Sequence, residues 1–537
     1  MKTLAELDVA DVRTYYEIDV TNLLIMVAPI LKYEEGNGIN TINKVTALVL
    51  SVILGILFFS SSYANGAVTL DLQTQYTNEK GDGFEYHQTD VILPDEGYFY
   101  VRKIDFNRNN QLYTTTFIIP GKEGTIRYLI DKDTSVVLPL KAGTLRENVS
   151  IYIETNQYSA YLGQAYVYKD LGRGTINSIS SLPITITEVE NGWRVTYRYA
   201  MQKGAYGILW GVGSHHSLGI DAPGQLSIWG NHNLTESARI AYNGYYYKSP
   251  SSYRPYTVNS YWKIPSSFLA QSNIRTGGNL LSKIMGNGLL VLAAEEFNEA
   301  GFFPSLPESQ MLKEGYGIGA GFFDTRFNSD MIMTYLQAYQ KYGVPLYREI
   351  YLKMAEYYLE HGKNHHFDVV KNNNSISIDY QVGESGTKTI KKFNIEEPIE
   401  SSLPTAGWLV WDYADSRKTP NHVSLNHQIS AADVFYHLYM EEGKTEYLEF
   451  ANVMLDGIVL TKDMWIMEND NLEYAFLPDG KMGYTDYPYL TFNDLYNIQE
   501  TLVKLEVGRQ KQIDELLMHK RQWMIRNDIV GYKGYGQ

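Results

Sequence analysis

The chain has 537 residues, too many for one small core, and its apolar fraction of 44% excludes disorder on compositional grounds. A formal charge of −15 argues against a nucleic-acid partner, which would want a basic face, and against long-range steering of an anionic polymer. Cysteine is absent, so disulfides, thiol nucleophiles and thiolate-held zinc are excluded. The 45 tyrosines combine a flat apolar ring with a polar tip, which suits packing on sheets and stacking on sugars alike.

Residues 1–43 are too long and too acidic for an ordinary signal-peptide leader, so they read either as a tail ahead of an anchor or as sequence before a true start nearer Lys44. Lys44 then leads into an apolar run from Val45 to Phe59, interrupted by Thr46 and Ser51 and followed by small residues up to Ala64. A basic residue, a short apolar stretch and a small-residue site make residues 44–64 a signal peptide or a membrane anchor. Either reading places the remainder outside the cytoplasm, secreted or held to a membrane through residues 45–59.

Residues 65–250 alternate in polarity and turn often. Val91–Leu93, Gly97–Val101, Tyr113–Ile119 and Ser150–Ile153 read as strands. Residues 79–83, 107–110 and 190–192 carry turn chemistry between them. This spacing predicts one or two sandwich-like β domains.

Residues 265–537 change to helical spacing. Ile332, Leu336 and Tyr339 form one stripe, and Leu346, Ile350 and Met354 the next. Ala431, Phe435 and Leu438 follow, then Leu448, Ala451, Leu455 and Ile458, and a last stripe runs through Leu495, Ile498, Leu502 and Leu505. Short links at 341–345 and 442–444 predict antiparallel helical hairpins, and hairpins closing into a ring would make an (α/α) barrel or toroid. The fold class expected is therefore multidomain β + α, with β-rich, sandwich-like units before the barrel. Residues 371–392 are polar and aperiodic, which fits a surface insertion or a β-hairpin. The run Gly315–Phe323 is too rich in glycine and aromatics for a plain connector, and it lacks the Lys-Ser/Thr of a phosphate loop.

Three segments of the helical half hold the chemistry. The first is Trp408–Ser416 leading into Val423–Gln428; the second is Asn471–Tyr474; the third is Gly483–Tyr489 leading into Leu490–Leu495. In order and spacing they resemble the C-terminal domain of the D-glucuronyl C5-epimerases that act on heparan-type polymers, over about Tyr316 to Leu505. The third segment carries the most specific likeness. Where that family has a Glu before its first catalytic Tyr, this chain has Asp412 before Tyr413. The resemblance implies β domains followed by an (α/α) barrel, a uronate-containing polysaccharide as partner, and inversion at C5 without a cofactor or metal. It carries over Tyr487, Tyr474, Tyr413 and Asp412 as proton-transfer groups.

On chemical grounds, removing a proton α to a carboxylate needs a base, and returning it to the opposite ring face needs an acid. Tyr serves as the base where nearby cations lower its ordinary pKa of about 10. Arg326, Arg417 and Lys418 are the candidate cations, and they could also hold the substrate carboxylate. Trp411, Tyr316, Asn426 and Asp486 complete the expected binding surface. If the glycosidic oxygen departs after proton abstraction, the outcome is a lyase, for which His422 and His427 are available. A hydrolase would draw two facing carboxyls from Asp324, Asp412, Asp415, Glu473 and Asp486. A non-catalytic glycan-binding surface protein would need only the aromatic groove. The pairs His215–His216 and His365–His366 lack metal-ligand spacing, and residues 468–473 lack the glycine of a calcium loop. Asn148, Asn233 and Asn373 head glycosylation triplets. The oligomeric state, a homodimer included, is left open.

Overall fold

In the strand Gly97–Phe106, Phe99 and Val101 join one buried cluster, whereas Tyr100, Ile104 and Phe106 join another. Successive strand side chains point to opposite faces, so a strand apolar on both sets of positions must be covered on both sides. This is the organising fact of the front half. The computed structural model describes residues 69–535 apart from 130–134, 146–149, 220–239, 243–244, 249–259, 266, 276–277, 296, 298, 374, 382–386, 395–402 and 416–418. The expected tail, the apolar run 45–59, Arg417, Lys418, Asn148 and Asn233 all lie outside the described residues. Among the described residues no helix is long and apolar enough to cross a membrane.

The first four strands are β1 (Gln73–Gly81), β2 (Phe84–Leu93), β3 (Gly97–Phe106) and β4 (Gln111–Pro120). β1, β2 and β3 pair antiparallel in order, and β3 continues into a twelve-stranded sheet through the strand Tyr206–Ser214. β4 leaves that sheet and pairs with Gly192–Met201 at the edge of a second, four-stranded sheet. Trp193, Val195, Tyr197 and Tyr199 from this sheet pack on Tyr100, Ile104 and Phe106 of the first. The front half is thus β-rich, with antiparallel sheets packed face to face.

The back half holds nine α-helices among the described residues. They are α1 (Ser267–Arg275), α2 (Leu280–Glu295), α3 (Gln310–Tyr316), α4 (Thr325–Tyr342), α5 (Pro345–Asn364), α6 (Leu425–Glu442), α7 (Thr445–Thr461), α8 (Leu490–Lys504) and α9 (Lys511–Arg526). The expected stripes fall on α4 to α8. α4 and α5 are joined through Gly343 at φ 64°, and α6 and α7 through Gly443 at φ 67°, the left-handed positions a tight helix end requires. α9 lies beyond the last stripe read from the sequence. Its apolar positions Ile513, Leu516, Leu517 and Met524 are buried but diluted by six Lys, Arg and acidic neighbours. The strands His366–Asn372, Ser375–Gln381, Thr387–Asn394 and Ala406–Val410 form a four-stranded antiparallel sheet between α5 and α6, so the described part of the polar stretch at 371–392 pairs as a β-hairpin.

α2 packs on β2 and β3, and one buried cluster runs from Phe99 and Trp210 through α2 to α8. The β-rich and helical parts therefore share a core.

The strand Ala406–Val410, which feeds the site, crosses α7 at backbone contact. A Cβ on Gly457 would sit 2.2 Å from the Trp408 carbonyl oxygen, and one on Gly407 2.2 Å from the Gly457 nitrogen. Gly457→Ala should therefore destabilise the fold by about 3 kcal/mol. Gly143→Ala, with nothing within 4 Å, should stay within about 0.5 kcal/mol of the parent. Urea unfolding of the two variants checks this, and equal midpoints would contradict it.

Candidate active site

Asp412 is the centre of the site and is wholly buried. Its Oδ1 accepts the Ser424 backbone N–H at 2.9 Å, and its Oδ2 accepts the Ser424 hydroxyl. His422 Nε2 and His427 Nδ1 each stand 3.5 Å from Oδ2, and the buried His422 Nε2 makes no hydrogen bond among the described residues. The far nitrogen of His422, Nδ1, shares a 2.9 Å hydrogen bond with the Tyr316 hydroxyl. With the imidazole proton on Nε2 towards the carboxyl, Nδ1 accepts from Tyr316. His427 Nδ1 also lies 2.9 Å from Thr325 Oγ1.

Backbone pairing brings these groups together. Residues 323–324 pair with 413–414, which sets Asp324 opposite Tyr413 and leads directly into α4. Residues 423–424 pair with the strand Glu473–Phe476, which pairs in turn with Met482–Thr485. Tyr474 therefore emerges beside Ser424. Ser424 acts on its hydroxyl by lowering its pKa, and its ring meets those of Tyr487 at 5.6 Å, Tyr484 at 6.4 Å and His422 at 6.3 Å. Tyr413 is buried with its ring 5.3 Å from His422 and 5.9 Å from His427. Tyr487 is 47% exposed and forms the solvent side. Tyr484 holds a left-handed backbone at φ 66°, a strained state for a bulky residue that persists only when its surroundings enforce it.

Burial sets the protonation states. It pushes the Asp412 carboxyl well up against the Ser424 bonds that lower it, and it pushes His422 down to about 4 and His427 well below its ordinary range. Tyr474 is pushed well up by burial and then by Asp412; Tyr316 is pushed up by burial, Tyr484 and Asp412. Both phenols therefore keep their protons at neutral pH. Asp324 caps α4 by accepting the Phe327 N–H at 3.0 Å, yet burial holds its carboxyl at about 7.

The expected cations are placed differently from one another. Arg326 binds Asp494 through two nitrogens at 2.6 and 3.3 Å and Asp330 at 3.4 Å, so two carboxyls already face its charge. It also donates to the Asn426 carbonyl at 3.4 Å, while the buried Asn426 Oδ1 has no partner among the described residues. Trp411 turns into the core against Phe367 and His365. Asp486 is buried and takes the Thr491 hydroxyl at 2.5 Å and Lys520 Nζ at 2.7 Å. Lys520, wholly buried, also donates to Asn471 Oδ1 at 2.6 Å and to the Tyr487 carbonyl at 2.7 Å. Ser424, Tyr484 and Lys520 were not singled out from the sequence. Ser424 stands beside a motif that was read, and Lys520 sits on the helix whose stripe was not. His365 and His366 face His361 and Trp408, and among the described residues no group of three metal-ligating side chains is gathered. The cavities of 320 to 490 Å³ elsewhere in the molecule do not include this cluster.

No protein-family model matches the chain, and no curated protein does. Solved structures show a distant likeness. A D-mannose isomerase aligns over 48% of this chain and 59% of its own length, at 13% identity and a TM-score of 0.30. The cellobiose 2-epimerase of Bacillus thermoamylovorans B4167 aligns over 49% and 63%, at 11% and 0.30. A family 76 glycoside hydrolase (mannosidase) of Bacteroides thetaiotaomicron VPI-5482 aligns over 52% and 68%, at 14% and 0.32. The match thus spans less than two thirds of the length of the first two enzymes. Likeness of this degree carries no argument about activity, and the chemistry rests on the site.

Lys520→Met removes the only cation bonded to Asp486 among the described residues, and should destabilise the fold by about 3–5 kcal/mol. A loss under about 1 kcal/mol in urea unfolding would contradict the assigned role. Asp324 supplies a pH test. Between its ordinary 3.8 and about 7 the unfolded chain releases this proton while the folded chain holds it. Stability from this group therefore falls as pH rises through that window and levels off above it. Asp324→Asn keeps the cap and removes the titration. Its stability relative to the parent should rise from about pH 4 to about pH 7; parallel profiles would contradict the assignment.

Proposed function

We propose that the chain is a carbohydrate-modifying enzyme that moves a proton at a sugar carbon, as an isomerase or epimerase does. The observation that carries this reading is one buried carboxyl serving two tyrosines. One arm runs Tyr316–His422–Asp412 and the other Tyr474–Ser424–Asp412. In the first arm Tyr316 takes the proton from carbon as its own passes to His422 Nδ1, and the Nε2 proton passes to Asp412 once their 3.5 Å separation closes to hydrogen-bond distance. In the second, the Asp412 proton moves through the Ser424 hydroxyl to Tyr474 as Tyr474 protonates the carbon on the other ring face. One turnover leaves Tyr316, Tyr474, Ser424 and Asp412 with the protons they began with and His422 as its Nδ1–H tautomer, so the next turnover runs in the opposite sense or follows tautomer exchange. The circuit needs no standing phenolate, which suits tyrosines whose pKa values are raised. Tyr487, whose ring meets that of Tyr474 at the exposed rim, and Tyr413, packed on both histidines, orient the sugar and the relay.

Within this class the sequence resemblance points to C5 of a uronic acid residue in a polysaccharide, on helices that close into an (α/α) barrel. Arg326 and Lys520 are already paired, so compensation of a uronate carboxylate would fall to Arg417 and Lys418. A second reading, glycoside hydrolysis, is favoured by one observation: Asp324 is a second buried carboxyl, held near neutrality, whose charge acts on Asp412.

The two readings separate by variants. In an assay of glucuronate polymers and neutral hexose oligosaccharides, Tyr316→Phe and Tyr474→Phe should each lower kcat by about 10²–10⁴-fold with little change in KM. Asp324→Asn should stay within about tenfold of the parent. Loss of activity in Asp324→Asn, with new reducing ends as product and active tyrosine variants, would replace the proposal by the hydrolase.

A further inference from the structure

Two neighbouring cavities open in the β-rich half, with volumes of about 410 and 390 Å³, and both are lined by Arg102, Thr115 and Thr116. They form one trough divided by a guanidinium. Its floor is the face of β2 and β3 that carries Tyr86, Tyr100 and Arg102, beside the second sheet. Its wall is β4, which pairs with Gly192–Met201 on one side only and is therefore a sheet edge.

The lining is built for hydroxyl groups. Arg102 lies 4.3 Å over the Tyr86 ring, with Nε on Gln88 Oε1 at 2.8 Å and a terminal nitrogen on Thr115 Oγ1 at 2.7 Å. Gln88 in turn donates to both oxygens of Asp90, at 2.9 and 2.8 Å, and burial holds that carboxyl above its ordinary range. This fixes a row of planar donors and acceptors over aromatic rings. Beneath it Tyr100 stacks on Phe117 with centroids 5.7 Å apart, and its buried hydroxyl has no partner among the described residues. An unmet buried hydroxyl is unfavourable unless something reaches it. The charges in the trough are Arg102 against Glu79, Asp82 and Asp90, with Asp82 already paired to Arg108. Carboxyls outnumber the unshared cation, so an anionic ligand is disfavoured. The two cavities in series suit a chain of several units better than a single small molecule.

We propose that this trough is a non-catalytic binding site for a neutral, polyhydroxylated glycan chain, holding a stretch of polysaccharide apart from the Asp412 cluster. It rests on the reading of the chain as a carbohydrate enzyme for its biological sense, but its chemistry is independent of the reaction. The free edge of β4 also admits strand addition by an extended peptide. One cavity has an apolar side of Ile92, Phe117 and Leu209, but the convergence of side-chain donors and acceptors over the Tyr86 and Tyr100 rings favours the glycan.

Calorimetry on the full chain tests it, using cellohexaose, mannohexaose, maltohexaose and a glucuronate-containing hexasaccharide as probes. At least one neutral hexaose should bind. Asp90→Ala and Thr116→Arg should each weaken it about tenfold or more, while Tyr474→Phe leaves that binding unchanged. Thr116 is exposed, so its variant blocks the trough without disturbing packing. The proposal is overturned if no neutral hexaose binds, if the trough variants bind as the parent does, or if only the glucuronate probe binds. Capture of an extended peptide that is lost in Thr116→Arg, with no glycan bound, would overturn it in favour of strand addition. Turnover assayed on the same variants keeps the two claims apart: an active chain with an empty trough sinks only this one, and an inactive chain with a filled trough sinks only the proposed reaction.

Discussion

A carboxyl removed from water must be met by hydrogen bonds or give up its charge, and Asp412 imposes that demand at the heart of the helical half. Ser424 meets it twice, and His422 and His427 stand at the same oxygen. All three lie on the entry to α6, so this helix start has one acceptable position relative to the segment at 411–414. The Asp412 backbone adds to the lock, with its N–H on the His422 carbonyl at 3.0 Å and its carbonyl taking the Thr325 N–H at 2.9 Å. α4, α6 and the Asp412 segment are thereby fixed to one another at the point where chemistry is proposed.

Two further buried charge sets frame the same point. Arg326 ties α4 to α8 through Asp494, and Lys520 ties α9 to the Asp486 turn through Asp486 and the Tyr487 carbonyl. Buried ion pairs add little net stability but penalise any rearrangement that separates them. Here that penalty holds Tyr474 and Tyr487 against Asp412 without placing a free positive charge beside the phenols. In the proposed mechanism the tyrosines act as proton carriers coupled to a neutral histidine and a serine, in place of phenolate bases stabilised by arginine.

Local signals in the sequence made much of this legible. The run Gly97–Val101 marked β3 as a strand, though not that both its faces are covered, and the stripes at 332–339, 431–438 and 495–505 marked helices because each keeps one apolar face. The segments at 412–413, 422–427, 474 and 487 were recognisable by residue type, and the structure brings them to one place. Long-range pairing was not legible. Arg326 read as an available cation because Asp330, four residues on, is visible in sequence but Asp494 is 168 positions away. Trp411 read as a sugar platform, yet its ring turns into the core. α9 was hidden by its charges, and Lys520 with it, since a buried lysine is indistinguishable from a solvated one until its partners are placed.

The central claim is that the two-armed relay at Asp412 exchanges a proton at a sugar carbon. The most direct measurement is incubation of the full chain in deuterated water with glucuronate polymers and neutral hexose oligosaccharides, reading each ring position by NMR. The account predicts deuterium at one carbon next to a carboxylate or carbonyl, no chain cleavage, and loss of the exchange in Asp412→Asn. Unsaturated or new reducing chain ends without exchange would contradict it, as would full exchange in Asp412→Asn.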